Sequence, residues 1–127
     1  MISKYYSGFS LKEEQELFNE YLIENDFTVS GFSYGATKAF EEVLHTKKRV
    51  DLLQLFSPAF FQDKDKKYKR MQLMFFKKDA ASYCHEFLKN ITNPSSVDAS
   101  KYFVEGSYLE LDELLNYEWC EKKLQAL

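Results

Sequence analysis

A five-residue segment near the start of the chain carries the pattern most suited to covalent chemistry. Residues 31–35 read Gly-Phe-Ser-Tyr-Gly, which is the G-x-S-x-G pattern of a nucleophile elbow. Between a strand and a helix, this pattern requires a sharp, strained turn that presents the serine hydroxyl at the carboxyl edge of a sheet. We therefore predict that Ser33 is an exposed catalytic nucleophile. The alternative is an unreactive serine in a tight strand–helix turn.

A serine nucleophile needs hydrogen-bond donors where negative charge develops on the substrate carbonyl. The backbone N–H of Tyr34, directly after Ser33, is the first predicted donor of this oxyanion hole. The second should come from the loop after a neighbouring strand, where the chain reads Ser-Gly-Phe-Ser over residues 7–10. We predict that Phe9 supplies that N–H. An ordinary strand-to-helix turn at Gly8 is the competing interpretation.

The general base is harder to place, because the chain contains only two histidines. His45 lies twelve residues beyond Ser33 on the same predicted helix, and a rise of 1.5 Å per residue places it roughly 18 Å away, so we exclude it. His85 is left as the candidate base, with a histidine at the surface or at the edge of the core as the alternative. No strand is predicted after residue 56, where the acid and the histidine of such hydrolases normally follow. We expect either unorthodox catalysis or a chain that lacks its last strands.

The first half of the chain alternates between strand and helix signals. Apolar runs predict strands over residues 2–6, 27–32 and 50–56, and the last run is apolar enough for a strand covered on both faces. A capping box of Ser10 and Glu13 predicts a helix to about Glu24, and a second helix starts at Tyr34. Two successive strand–helix–strand units imply a parallel sheet with right-handed crossovers.

The second half is predicted to be helical. Helices are expected near residues 65–76 and 79–91, followed by a break at residues 93–96. A second capping box, Ser107 with Glu110, predicts a further helix through Trp119. The predicted fold is therefore a small three-layer α/β-hydrolase-like domain over residues 1–127. Residues 1–61 would form its βαβαβ core, and residues 62–127 a helical cap over the sheet edge.

Composition narrows the classes of function. A chain of 127 residues with 45% hydrophobic and 17% aromatic residues fits one domain with a sizeable core. A net charge of −3 gives no overall attraction to nucleic acid, and no apolar run reaches membrane-spanning length. The first residues do not form a secretion signal, and the two cysteines lack metal-type spacing. We expect a reduced, cytoplasmic protein without a metal or organic cofactor.

Charge is distributed unevenly along the chain. Residues 63–78 carry seven basic and two acidic side chains, whereas residues 105–121 carry six acidic and no basic ones. The basic segment is either a solvated face or a docking surface for an acidic partner or an anionic head group. The candidate docking residues are Lys64, Lys66, Lys67, Lys69 and Arg70.

Three segments together resemble a known family. The turn at residues 7–9, Val-Ser-Gly-Phe-Ser-Tyr-Gly-Ala at 29–36 and Leu-Gln-Leu-Phe-Ser-Pro-Ala-Phe-Phe at 53–61 are similar to pimeloyl-acyl-carrier-protein methyl ester esterases. These are small α/β-hydrolases of biotin synthesis, and the similarity is to their compact BioV type. The resemblance implies a serine esterase with Ser33 as nucleophile and Phe9 and Tyr34 as oxyanion donors. It also implies an acidic acyl carrier protein as the partner on the basic segment.

The resemblance leaves some alternatives open. No position matches the family's catalytic acid and histidine, which implies a truncated member of the family. Phenylalanines at positions 56, 60, 61, 75 and 76 would flank an acyl chain, or else pack in the core. Another acyl hydrolase of the lipase or thioesterase type would use the same serine pattern. An inactive hydrolase fold retained as a binding module is the non-enzymatic alternative.

Overall fold

A parallel sheet forms the centre of the computed structural model, which describes residues 3–23, 27–92 and 100–127. Over these ranges the sheet has three strands, β1 (Lys4–Tyr6), β2 (Thr28–Phe32) and β3 (Leu52–Phe56), in the order β1-β2-β3. Both pairings are parallel, with Tyr6 opposite Gly31 and Phe32 opposite Phe56. The predicted α/β class and parallel sheet are confirmed. Because the strands run the same way, their carboxyl ends meet at one edge.

The central strand is the buried one. Residues 28–31 of β2 are buried, whereas β3 is half-buried along its whole length. The strand predicted over residues 50–56 is confirmed over Leu52–Phe56, where it forms the edge of the sheet and its residues on both faces are covered in part. The Gln54 side chain donates to the Tyr21 carbonyl at 2.9 Å and accepts from the Ile23 N–H at 2.8 Å. This amide therefore ties the chain before β2 to the edge of the sheet.

Helix α1 (Tyr34–His45) begins immediately after β2, as predicted, and packs against all three strands. Its buried face includes Ala36, Ala39 and Phe40, which recur at helical spacing. The spacing places small side chains against the sheet, so the helix axis can lie close to the strands. This close packing fixes the start of α1 relative to the carboxyl ends of β1 and β2.

The helix predicted from Ser10 does not form. The structure has only a short 3₁₀ helix over Glu14–Phe18, without a side-chain cap. Instead, the Ser10 hydroxyl accepts from the Gly106 N–H at 3.2 Å, and Leu11 pairs with Phe103 in an isolated antiparallel bridge. A distant segment thus uses the groups that the local pattern assigned to a helix cap. Residues 24–26, where that helix was expected to end, lie outside the described residues.

The regular elements in the described part of the second half are helices joined by loops. They are α2 (Lys66–Lys78), α3 (Ala80–Thr92), a 3₁₀ helix (Ser100–Tyr102), α4 (Tyr108–Asn116) and the short α5 (Glu121–Gln125). The second predicted capping box is confirmed: Ser107 and Glu110 exchange hydrogen bonds of 3.1 and 3.0 Å at the start of α4. Helix α4 ends at Asn116 rather than continuing through Trp119. The predicted break at residues 93–96 lies outside the described residues.

Residues that follow β1 and β2 share an apolar core cluster with the later helices. Phe9 and Tyr34 from the first half pack in the same buried cluster as Phe76, Cys84, Leu111, Leu114 and Leu115. Helices α2, α3 and α4 therefore cover the carboxyl edge of the sheet, where the predicted site lies.

Among the residues with described structure, no helix combines the length and apolar character needed to cross a membrane.

Candidate active site

The backbone of Ser33 adopts a conformation that L-amino acids rarely take. Ser33 joins β2 to α1 with φ 55° and ψ −114°. Such strain persists only where surrounding contacts enforce it, and it is concentrated at functional sites. Here the Ser33 N–H donates to the Phe56 carbonyl at 2.9 Å, and the Ser33 carbonyl accepts from the N–H groups of Ala36 and Ala59, each at 3.1 Å. We call this segment, residues 31–35, the serine turn.

Both glycines of the serine turn are required by close backbone contacts. A Cβ atom on Gly31 would lie 2.2 Å from the Gly35 carbonyl oxygen. A Cβ atom on Gly35 would lie 1.9 Å from the Tyr6 carbonyl oxygen. The G-x-S-x-G pattern thus lets β2, α1 and the end of β1 approach to backbone contact. The loop after β1 is consequently adjacent to the serine turn, as the prediction of a shared site requires.

Ser33 lies in the wall of a cavity of about 680 Å³. Aromatic side chains form much of the lining: Phe60, Phe61, Tyr68, Phe75, Tyr83 and Phe87. Polar side chains also line it: Gln72, Lys78, Asp79, Ser82, Glu86 and Asn90. A concave, largely apolar space with a few polar groups is typical of a small-molecule or acyl-chain site. Of the five phenylalanines proposed to flank an acyl chain, three are in the lining, whereas Phe76 packs in the core.

The Ser33 side chain is less accessible than predicted. Ser33 is only 8% exposed, so the expectation of a hydroxyl standing free at the sheet edge is wrong. The physical reason is the helical cap, because α2, α3 and Leu115 of α4 enclose the space in front of the residue. A reagent must therefore enter the cavity to reach Ser33.

Tyr34 is the first residue of α1, so its N–H belongs to the first turn, whose donors have no partner within the helix. The positive end of the helix dipole lies at the same place and favours an oxyanion. The Tyr34 side chain is buried, and its hydroxyl donates to Glu113 of α4 at 2.7 Å. Burial, together with this hydrogen bond, raises the pKa of Tyr34, so the phenol remains a neutral donor. Helix α4 thereby helps to fix the residue that carries the first predicted donor.

The second predicted donor, Phe9, follows a turn that a buried carboxylate holds. Glu14 is completely buried, and its Oε2 atom accepts from the Gly8 N–H at 2.8 Å and from the Tyr5 hydroxyl at 3.0 Å. The Phe9 ring is also fully buried and meets the Phe87 ring edge-on, with the centroids 5.0 Å apart. Burial, and then the charge of Glu14, raise the pKa of Tyr5. The turn before Phe9 is therefore held by the Glu14 carboxylate on one side and by the packed Phe9 ring on the other.

Sequence reasoning missed Glu14. The residue lies in a run of polar and charged side chains at positions 12–16, which reads as solvent-exposed. Only its hydrogen bonds to the strand β1 region, six and nine residues away, distinguish it from its neighbours. No short-range pattern in the sequence encodes them.

The predicted base is not brought to the cavity. His85 is an exposed residue of α3, and its ring stacks on Phe103 with centroids 4.2 Å apart and an angle of 10° between planes. No histidine in the described ranges lines the cavity, whereas the carboxylates of Asp79 and Glu86 do. The role of His85 as a base stays a prediction. Its stacking on Phe103 accounts for the residue as a surface histidine, which was the alternative.

The candidate docking residues lie just before α2 and in its first turns, and none of them lines the cavity. Lys66, Lys67 and Arg70 are exposed, Lys69 is half-buried, and no carboxylate of a described residue forms an ion pair with any of these four. Lys64 lies over the ring of Tyr68, 5.6 Å from its centroid, and Tyr68 lines the cavity. Lys66, Lys67, Lys69 and Arg70 therefore form a cationic surface at the start of α2, which we call the basic face.

Comparisons with known proteins gave no match for this chain. This holds for a scan against protein-family models and for searches of curated proteins and of solved structures. In the ranges that the structure describes, no group of three or more His, Cys, Asp and Glu side chains is arranged to hold a metal ion. The geometry around Ser33 is therefore the basis for inferring a function.

Proposed function

We propose that this protein is a serine carboxylester hydrolase of the α/β-hydrolase type, with Ser33 as its nucleophile. The observation that carries the proposal is the strained backbone of Ser33, held between a parallel strand and a helix N-terminus in the wall of an acyl-sized cavity. A tight structural turn has no need of a 680 Å³ aromatic cavity in front of its serine.

The proposed reaction has two steps. The Ser33 Oγ attacks the ester carbonyl carbon, and the N–H groups of Tyr34 and Phe9 stabilise the negative oxygen of the tetrahedral intermediate. The C–O bond to the alcohol then breaks, and the alcohol leaves with the proton that the serine gave up. Water then adds to the acyl carbon, the bond from that carbon to Ser33 Oγ breaks, Oγ regains a proton that the water gives up, and the acid is released.

The substrate we propose is the methyl ester of a pimeloyl group on acyl carrier protein, with methanol as the leaving alcohol. The resemblance of residues 7–9, 29–36 and 53–61 to esterases of biotin synthesis supports this choice. The aromatic lining suits an apolar acyl chain, and the basic face, on the same helix as the lining residue Tyr68, suits an acidic carrier.

A second candidate function is acyl binding without turnover. It is favoured by the lining of the cavity, in which the described residues supply carboxylates but no histidine. Without a base, a serine hydroxyl is a poor nucleophile. In this case the same cavity would hold an acyl chain on a catalytically silent hydrolase-like fold.

Ester hydrolysis by two serine variants tests the proposal. We expect Ser33→Ala to lower kcat/KM for a p-nitrophenyl acyl ester by at least about 1,000-fold, because the covalent step is lost. Ser57→Ala is the matched control, since Ser57 also has a positive φ at the same sheet edge but does not line the cavity. Equal rates for the Ser33 variant and the wild type would overturn the proposal. Acyl-chain binding without hydrolysis in the wild type would select the binding module.

Charge reversal tests the proposed carrier. We expect Lys67→Glu combined with Arg70→Glu to lower kcat/KM for the carrier-bound ester about ten-fold, and to leave a small soluble ester unaffected. Reversal of the exposed Lys47 and Lys48, beyond the end of α1, is the control for net charge. Equal loss on both esters would contradict docking at the basic face.

A further inference from the structure

Two consecutive hydrogen bonds connect the single tryptophan of the chain to the backbone of Ser33. The indole N–H of Trp119 donates to the carbonyl of Ala59 at 2.8 Å. The N–H of Ala59 in turn donates to the carbonyl of Ser33 at 3.1 Å. Ala59 is therefore held by its carbonyl while its own N–H holds the strained residue of the serine turn.

A second contact fixes the same segment to residue 119. The side-chain oxygen of Gln62 accepts from the Trp119 N–H at 2.5 Å, and its amide nitrogen donates to the Trp119 carbonyl at 3.3 Å. The loop from Ala59 to Gln62 thus contacts Trp119 at both ends. Between these ends lie Phe60 and Phe61, which line the cavity together with Ser33.

The ring of Trp119 also reaches the other side of the serine turn. It packs against Phe40, with centroids 5.3 Å apart, and Phe40 is completely buried in α1. Helix α1 begins at Tyr34, directly after Ser33. One side chain therefore contacts both the helix that follows Ser33 and the loop that hydrogen-bonds to its carbonyl.

We infer that Trp119 is a positioning residue for Ser33, which acts through Ala59 to keep the serine turn in its strained conformation. The inference extends the proposed function, because positioning matters for catalysis only if Ser33 is the nucleophile. A strained φ is retained only when neighbouring contacts over-determine it. The Ser33 carbonyl has two donors, Ala36 within α1 and Ala59 outside it, and only the second depends on Trp119.

The variant Trp119→Phe tests the inference, since it keeps an aromatic ring for Phe40 but removes the indole N–H. We expect the Ala59 amide to exchange its hydrogen about ten-fold faster, relative to the Val29 amide of β2, as measured by NMR. We expect kcat for a p-nitrophenyl ester to fall about ten-fold, with KM within about two-fold of the wild type. Tyr117→Phe is the control, because it removes a neighbouring hydroxyl that donates to Glu41 and leaves the Ala59 contact intact.

The outcomes separate this inference from the proposed function. Unchanged relative exchange at Ala59 in Trp119→Phe would overturn the positioning role, whatever the activity. If the Ala59 amide exchanges faster in Trp119→Phe but the wild-type protein has no esterase activity, the esterase function is refuted and the contact is upheld. Faster exchange with an unchanged kcat would overturn the catalytic part of the inference. If Trp119→Phe does not fold, Gln62→Ala replaces it, because this variant removes the bonds that hold the Trp119 backbone. We then expect the Ala59 amide to exchange faster relative to the Val29 amide, and an unchanged ratio would overturn the positioning role.

Discussion

The close approach of β1 to the serine turn decides which side chains position 35 can carry. The Tyr6 carbonyl oxygen would lie 1.9 Å from a Cβ atom on residue 35, a distance that only backbone movement could relieve. The sequence pattern predicted this steric requirement, because glycines on both sides of a serine have a recognised reason in a sharp strand–helix turn. It did not predict Trp119 or Glu14, whose partners lie at least six residues away.

Replacing Gly35 with alanine should therefore be severe. We expect Gly35→Ala to lower the free energy of unfolding by at least about 3 kcal/mol, since the new methyl group meets rigid backbone. Gly8→Ala is the matched control, because its Cβ would come no closer than 3.0 Å to the Phe32 ring and 3.2 Å to the Phe32 carbonyl oxygen, and we expect a smaller loss of about 1 kcal/mol. Urea denaturation measures both, and equal losses would contradict the packing described at residue 35.

At the scale of elements, similar local signals gave different results. The capping box of Ser107 and Glu110 begins α4 as predicted, whereas the box of Ser10 and Glu13 does not begin a helix. The difference is tertiary, because residues 10–12 hydrogen-bond to residues 102–106. The strands and α1 to α4 were predictable from local periodicity, but the path of the chain between β1 and β2 depends on these long-range contacts.

Glu14 gives that path its own test. Removal of its carboxylate in Glu14→Ala leaves the Gly8 N–H and the Tyr5 hydroxyl without an acceptor inside the protein. We expect a loss of about 3 kcal/mol in the free energy of unfolding, measured by urea denaturation. Tyr5→Phe, which removes one of the two donors and no acceptor, should cost about 1 kcal/mol. A loss no larger for Glu14→Ala than for Tyr5→Phe would show that the turn before Phe9 is held by other groups.

At the scale of the whole molecule, burial of tyrosines predicts sensitivity to alkaline pH. Burial raises the pKa values of Tyr5, Tyr34, Tyr83 and Tyr117 above the ordinary value of 10.0. The folded state thus holds these protons more tightly than the unfolded state. The resulting stability is fully present below about pH 10 and is lost as the pH rises through the raised values.

We expect the free energy of unfolding to be level from about pH 8 to 9 and to fall above about pH 10, by more than about 1.4 kcal/mol per pH unit. Tyr34→Phe should make the fall less steep, because it removes one of the titrating groups. Urea denaturation across this pH range measures the slope. An unchanged slope in the variant would mean that Tyr34 does not contribute to it.

The arrangement of the whole chain also explains why the site was only partly predictable. The sequence predicted the turn at Ser33 and the start of α1 at Tyr34, and it showed the run of basic residues, since each follows from a local motif or charge run. It left the base open and placed the Ser33 hydroxyl at an open sheet edge, because the helices that enclose it are brought there by the shared apolar core. Such enclosure depends on how α2, α3 and α4 pack, which short-range patterns do not specify.

The proposed nucleophile, the hydroxyl of Ser33, can be tested by covalent labelling. The purified protein is treated with an alkyl fluorophosphonate, followed by intact mass and peptide mapping. We expect one adduct per chain, on the peptide that contains Ser33, and none in Ser33→Ala. No adduct on the wild-type protein, or an adduct on any other residue, would contradict the role of Ser33 as nucleophile.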